Sequence, residues 1–276
     1  TTINKSSDYF TPELYVGTGS SRTISTLNFQ PDLVWIKNRG TNDRNSLFDA
    51  VRGAPNMLTS NTSGANDAQP SELTAFNTNG FTVNNATSVN GSSANYVSWN
   101  WKANGLGSSN TDGTINSTYT SASVTSGFSI VTYTGNGTGG ATVGHGLGVA
   151  PKVVWVKSLG ASGDWRVYNF ALGSNASLIL NGNGPANSDV WNNTDPSSTV
   201  FSISNNSDVN SSGGTYIAYC FAEKQGFSKV GKYTGNGNAD GPFVYTGFKP
   251  TCVIYKLSSG TDNWRIIDNK RLGYNP

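Results

Sequence analysis

Histidine occurs once in the 276 residues, at His145, methionine once, cysteine twice and glutamate three times. A single imidazole, with no second histidine and no acid–nucleophile pair nearby, makes neither a zinc site nor a catalytic triad. Its glycine neighbours in Val143-Gly-His-Gly-Leu-Gly148 suggest a tight, exposed turn. Two cysteines, Cys220 and Cys252, are too few for a disulfide framework, and we read both as buried free thiols on strands. The glutamates, Glu13, Glu72 and Glu223, are scattered, and none shares a strand with a second acid in alternating register. Glycoside hydrolysis needs two carboxyl groups flanking the scissile bond, so no catalytic residues are assigned. Charged residues amount to 12% with a net charge of +2, which offers no basic patch for nucleic acid. No apolar run is long enough to span a membrane, and the opening TTINKSSDYF does not read as a signal peptide. No cofactor, metal or membrane insertion is expected.

What the chain has is glycine, asparagine, serine, threonine and aromatic rings. The rings argue against disorder. The turn formers suit short strands and polar loops rather than helices. The chain also repeats itself. The runs Pro31-Asp-Leu-Val-Trp-Ile-Lys37, Pro151-Lys-Val-Val-Trp-Val-Lys157 and Pro250-Thr-Cys-Val-Ile-Tyr-Lys256 share a proline and a lysine six apart. A Tyr-x-Gly-x-Gly element precedes each one, at Tyr15, Tyr133 and Tyr233. Between the first two copies the register holds at 120 positions: Leu58 maps to Leu178, Phe81 to Phe201, Asn90 to Asn210 and Tyr96 to Tyr216. The third copy keeps step 99 positions on, with Trp165-Arg-Val becoming Trp264-Arg-Ile. Such a register marks a structural repeat rather than biased composition.

The expected architecture is all-β: tandem antiparallel β-sandwich repeats of jelly-roll or concanavalin A-like form. Residues 1–103 make repeat 1, residues 104–125 a flexible Gly/Ser/Asn-rich linker, residues 126–224 repeat 2, and residues 225–276 the first half of repeat 3. Each full unit has about 100 residues, enough for its own core. Trp35 and Trp155, inside apolar runs, are expected to anchor their sandwiches, with a ligand-stacking platform as the alternative. A half-sandwich would expose apolar faces and unpaired edges, so either a continuing chain or another chain is expected to complete the third unit.

Several polar residues invite assignment. Asp49-x-x-Arg52-Gly53 returns as Asp268-x-x-Arg271-Leu-Gly273, while the middle copy reads Asn169-x-x-Leu172-Gly173. Asn can replace Asp in a turn that bonds its own backbone, so Asp49, Asn169 and Asp268 are read as structural turn residues. The Tyr-x-Gly-x-Gly elements are read as hairpin turns, since no helix follows to make a phosphate cradle. Trp191, Asn192, Asn193 and Asp195, with His145, are the candidate ligand-binding residues, because an aromatic face beside amides suits a sugar. The oxygen-rich loops 189–195 and 205–210 lack the spacing of an EF-hand calcium loop.

The runs GFSIVTYTGNGTGGATVGHGLGVAPKVVWVK, YIAYCFAEKQGFSKVGKYTGNGNADGPFVYTGFKP and FQPDLVWIKNRGTNDRNSLFDAVRG resemble repeat-bearing virion proteins of marine bacteriophages, including those of cyanobacteria. The resemblance covers nearly the whole chain and implies concanavalin A-like lectin/glucanase-type sandwiches. The Glu-x-Asp-x-x-Glu strand motif of laminarinase-like hydrolases is absent. The expected function is a virion structural protein, a tail fibre, appendage or adhesin in the extracellular particle. Its expected partners are other virion proteins, copies of itself and host surface glycans. A ligand-free capsid decoration protein is the alternative. A tail-associated polysaccharide depolymerase would have Asp49 and Asp67 as its first acids, although Asn169 and Asn187 stand at the matching positions.

Overall fold

The computed structural model describes residues 3–187 and 190–271. The first unit contains β1 (Phe10–Val16), β2 (Arg22–Ile24), β3 (Leu33–Asn38), β4 (Asn45–Asp49), β5 (Asn56–Thr59), β6 (Asp67–Ala68), β7 (Leu73–Asn77), β8 (Gly80–Val83), the single helical turn α1 (Thr87–Asn90) and β9 (Asn95–Trp101). Its large sheet has the order β1-β9-β3-β4-β5-β6 and its small sheet β2-β8-β7. The second unit contains β10 (Ser108–Asn110), β11 (Ser117–Ser123), β12 (Phe128–Thr134), β13 (Ala141–Gly144), β14 (Val153–Ser158), β15 (Arg166–Asn169), β16 (Leu178–Ile179), β17 (Val200–Ile203), the turn α2 (Ser207–Asn210) and β18 (Thr215–Phe221). Its large sheet runs β10-β11-β12-β18-β14-β15-β16, with β13-β17 opposite. The third unit supplies β19 (Cys252–Tyr255) and β20 (Arg265–Asp268), paired with each other. The strand pairings are antiparallel, and the architecture is an all-β sandwich fold.

The apolar runs of the repeat do not alternate with polar residues, and the layering explains why. Side chains point to opposite faces along a strand. On β3, Val34 and Ile36 turn inward to Tyr15, Phe48 and Phe81, the core of the first sandwich. Leu33 and Trp35 turn the other way, into a different core. That core also holds Trp99, Trp155, Trp165, Val167, Ile217 and Tyr219, and Ile254, Trp264 and Ile266 of the third unit pack against it. Val154, Val156 and Ala218 face the inner core of the second sandwich. A strand buried on both faces needs a continuous apolar run.

The units are therefore not beads on a string. Trp35 and Trp155 meet edge-to-face, ring centres 5.8 Å apart, at the shared core. They anchor the joint between units rather than each sandwich, which corrects the sequence expectation.

The seams repeat. Trp165 Nε1 donates to Thr59 O and Trp264 Nε1 to Ile179 O, both at 2.8 Å. Asn66 N–H donates to Leu159 O, and Ala186 N–H to Ser258 O. Gly163 N–H donates to Ser63 O, and Asp262 N–H to Asn183 O. Each second bond is the first advanced by one repeat, so unit 3 sits on unit 2 as unit 2 sits on unit 1. A last pair closes the circle. Tyr219 of unit 2 donates to Asp49 of unit 1, and Trp99 of unit 1 donates to Asp268 of unit 3. Head-to-tail contacts either close or run on as a filament. Here the contacts return from the third unit to the first.

The segment 104–125, expected as a flexible linker, is built into the second sheet. β11 pairs with β12 from Ser117↔Tyr133 to Ser123↔Phe128, and β10 pairs with β11. Ile115 is buried against Val143 by a parallel bridge. Serine and threonine fit a strand near the sheet's edge with one face in water, which composition alone reads as loop. Likewise the polar stretch 59–70 contains the short strand β6.

Candidate functional site

The structure separates the predicted binding residues by burial. Trp191 is 1% exposed and packs at 5.8 Å against Tyr168 in the second core, so its indole offers no face to a ligand. Val190 and Trp191 supply apolar contacts at the root of this loop, which its polar neighbours conceal in the sequence. Asn192 and Asn193 project into solvent, both with left-handed φ, 53° and 48°. Asp195 is exposed and accepts a hydrogen bond from the Tyr168 hydroxyl at 3.1 Å. Asp189 lies outside the described residues.

His145 is wholly buried, not on an exposed turn. Its Nδ1 accepts from Leu147 N–H at 3.2 Å, so Nε2 carries the proton and donates to Ser197 O, also at 3.2 Å. Burial holds its pKa below 6.5. It is a neutral crosslink between two loop segments and is not brought together with a ligand-accessible surface.

The Asp-x-x-Arg motif makes a buried clasp. Asp49 Oδ1 accepts from Arg52 N–H at 2.8 Å, the turn bond expected of this residue. Oδ2 accepts from Arg52 Nε at 2.6 Å and from the Tyr219 hydroxyl at 2.8 Å. Arg52 reaches Asn66 Oδ1 at 2.6 Å as well. The clasp recurs with Asp268, which accepts from Arg271 N–H at 2.8 Å, Arg271 Nε at 2.7 Å and Trp99 Nε1 at 3.0 Å. The Arg271 guanidinium stacks 4.9 Å from the Trp99 ring centre, a cation–π arrangement. Asn169, the middle equivalent, accepts a turn bond from Ala171 N–H at 3.0 Å and is half-buried. Gly273 of the third motif lies outside the described residues. A buried carboxylate held by an arginine and an aromatic donor is closed off from a substrate. The roles of Tyr219 and Trp99 are legible only once the units close.

The repeated lysine is also structural. Lys37 Nζ donates to Thr41 O and Asp43 O, Lys157 Nζ to Ser158 O, and Lys256 Nζ to Leu257 O. Each ammonium satisfies carbonyls at or just beyond the end of its own strand, and burial lowers all three pKa values, that of Lys157 to about 8. Asn90 and Asn210 tie the glycine hairpin to the helical turn, accepting from Thr18 and Asn136 N–H and donating to Asn84 O and Ser204 O. Cys220 and Cys252 are free thiols; Cys220 is buried and Cys252 half-buried, and burial pushes both to about 12. Among the described residues, no three of His, Cys, Asp and Glu gather as metal ligands.

Two concavities flank the third unit. One, of about 370 Å³, is lined by Phe10, Trp101, Trp155, Asn169, Phe221 and Ile254. The other, of about 500 Å³, is lined by Trp35, Asn45, Asn61, Asn181, Trp264 and Arg265. The first is aromatic-walled, while the second mixes two indoles with amides. No curated protein and no solved structure matches the chain. The family described as "Domain of unknown function (DUF7483)" matches residues 5–276, and the chain belongs to that family.

Proposed function

We propose that the protein is a structural and attachment component of a bacteriophage particle, a tail fibre or appendage whose outward loops meet host surface glycans. The observation that carries this reading is the clasp pair. Asp49 and Asp268 are locked by arginines and by aromatic donors from neighbouring units, chemistry spent on holding sandwiches together. What faces outward is amide- and hydroxyl-rich, as at Asn192, Asn193 and Thr194. Polar loops on a rigid β-scaffold are a common arrangement for surface recognition. Asn192 and Asn193 are the residues carried forward from the predicted site.

Two measurements test this. Mass spectrometry of purified particles is expected to find the protein, and absence from the particle would remove the proposal. A glycan array is expected to show saturable binding that weakens on Asn192→Ala with Asn193→Ala. Presence in the particle with a silent array would leave a decoration protein without a ligand.

A further inference from the structure

One carboxylate of the first sandwich is buried without the partners that serve Asp49 and Asp268. Glu72 is 1% exposed. Its Oε1 accepts from the Ser88 hydroxyl at 2.7 Å, while Oε2 is buried with no hydrogen-bond partner among the described residues. The Ser46 hydroxyl, fully buried and equally without a partner, lies within its reach. The cation paired with Glu72 is Arg44, whose Nη2 stands 3.9 Å from Oε1 with 47% of its side chain in water. That separation is too long for a hydrogen bond.

The second unit shows what the same corner holds without this acid. Asn84 N–H donates to Glu72 O, and Ser204 N–H, 120 positions on, donates to Val190 O. Glu72 therefore takes the place of a fully buried valine. Ser46 and Ser88 match Arg166 and Asp208, a tight pair with Nε 2.8 Å from Oδ2. The second unit thus fixes a guanidinium on a carboxylate at this corner. In the first unit two serines stand where that pair stands, the carboxylate comes from the valine's place, and the guanidinium comes from a half-exposed loop. A buried carboxylate so poorly paired is costly when charged. Protonated, it is fully served, because Ser88 still donates to Oε1 and the acid's own O–H can donate to Ser46 Oγ.

We propose that Glu72 and Arg44 form a proton-operated latch on the first sandwich. With the carboxyl neutral, Arg44 stands in solvent. When the proton leaves to water, the guanidinium closes by about 1 Å to hydrogen-bonding distance and draws the 39–44 loop onto the carboxylate. The loop can follow as a body, since Lys37 Nζ holds Thr41 O and Asp43 O and Asn38 holds Asp43 Oδ2. The other ionisable groups that act on this corner are Asp67, whose charge opposes ionisation, and the buried phenol of Tyr15. Burial outweighs the bond from Ser88 and the pull of Arg44, and raises the Glu72 pKa above its ordinary value. The latch is therefore open on the acid side and closes as pH rises through that pKa. The inference stands apart from the attachment role.

Only three glutamates occur in the chain, so the carboxyl can be followed directly. Nuclear magnetic resonance of the intact chain, labelled at the glutamate carboxyl carbons, gives three titrations, and Glu72→Gln removes the one to be assigned. Should that variant fail to fold, Glu13→Gln and Glu223→Gln assign it by elimination. The Glu72 midpoint is expected above 4.5. The Arg44 Nε–H signal, identified by its loss in Arg44→Gln, is expected to shift with the same midpoint and to exchange with water about threefold more slowly once Glu72 is charged. In Glu72→Gln that signal should stay flat over the range, which a merely structural carboxyl would not require. Arg44→Gln is expected to raise the Glu72 midpoint by about half a unit or more. A Glu72 midpoint at or below 4.5 overturns the proposal. So does an Arg44 signal that ignores the Glu72 titration, or a midpoint unchanged in Arg44→Gln.

Discussion

The phenol of Tyr219 lies 2.8 Å from Asp49 Oδ2, although 170 positions separate the two residues. The same carboxylate oxygen holds Arg52 Nε at 2.6 Å. One buried atom thus joins a strand end, an ion pair and a seam between two sandwiches. Burial and the Asp49 charge raise the Tyr219 pKa far above 10, so the phenol remains a donor at any ordinary pH. Trp99 reproduces the contact on Asp268 with an indole in place of a phenol.

Tyr219→Phe preserves the ring and deletes the donor, and should cost about 1–2 kcal/mol. Arg52→Met does something harsher, because it leaves Asp49 charged, buried and without its counter-ion. A loss of roughly 3–5 kcal/mol is expected. Urea unfolding followed by tryptophan fluorescence measures both. An Arg52→Met chain as stable as the parent would show that the clasp carries little of the seam.

Much of this fold was legible because short-range chemistry repeats with the sequence. The 120- and 99-residue offsets aligned the three runs that hold β3, β14 and β19, and the Asp-x-x-Arg turn bond followed from side-chain reach. What escaped was how the units face one another. The runs Leu33–Ile36 and Val153–Val156 carry no alternation because both faces are buried, yet a single sandwich would accept the same run. Strand β11, SerThrTyrThrSerAlaSer, lies one strand in from the sheet's edge, between β10 and β12, and its run of hydroxyl side chains reads as linker. Exposure in the candidate site was legible in part. Asn192 and Asn193 are exposed, as a binding role requires, while Trp191 and His145 are buried, because local polarity does not report a core assembled from distant strands.

The repeated glycine hairpin offers a prediction with its own control. A Cβ on Gly17 would sit 2.1 Å from Gly91 O, and one on Gly135 would sit 2.4 Å from Ser211 O. Both obstacles are backbone, which cannot swing aside. Gly17→Ala or Gly135→Ala should therefore destabilise by roughly 1–3 kcal/mol. Gly235, at the same place in the third unit, has nothing within 4 Å, so Gly235→Ala should fall within about 0.5 kcal/mol of the parent. Calorimetric melting of the three variants checks the ordering, and equal losses at all three would contradict the close-approach explanation.

Lys157 gives a pH signature. Its ammonium is fully buried, and that burial lowers its pKa from 10.5 to about 8 against the opposing pull of Asp208 and Asp164. Between pH 8 and 10.5 the unfolded chain holds this proton and the folded chain does not, so stability rises with pH across that window. Below pH 8 both states are charged and the burial penalty is fully present. The rise should be on the order of 2–3 kcal/mol, and Lys157→Met should remove it. Other lysines and tyrosines titrate in the same range, so the quantity to follow is the difference between parent and variant across pH. A difference that stays flat from pH 7 to 11 would rule out a buried charge at this position.

His145 bears on the acid side, and as the sole histidine it can be watched directly. The neutral ring accepts from Leu147 N–H through Nδ1, and a protonated ring has no lone pair left to do so. Burial depresses the folded pKa below 6.5. As pH falls from 6.5 to that lower value, the unfolded chain takes up a proton that the folded chain refuses, and stability falls with it. Nuclear magnetic resonance of the imidazole Cε1 proton should show a single titration with a midpoint under 6.5. Loosening of the second unit, seen as faster amide exchange at the Leu147 turn, should accompany the same transition. A midpoint at or above 6.5 would place the ring in water and restore His145 to the surface role first expected of it.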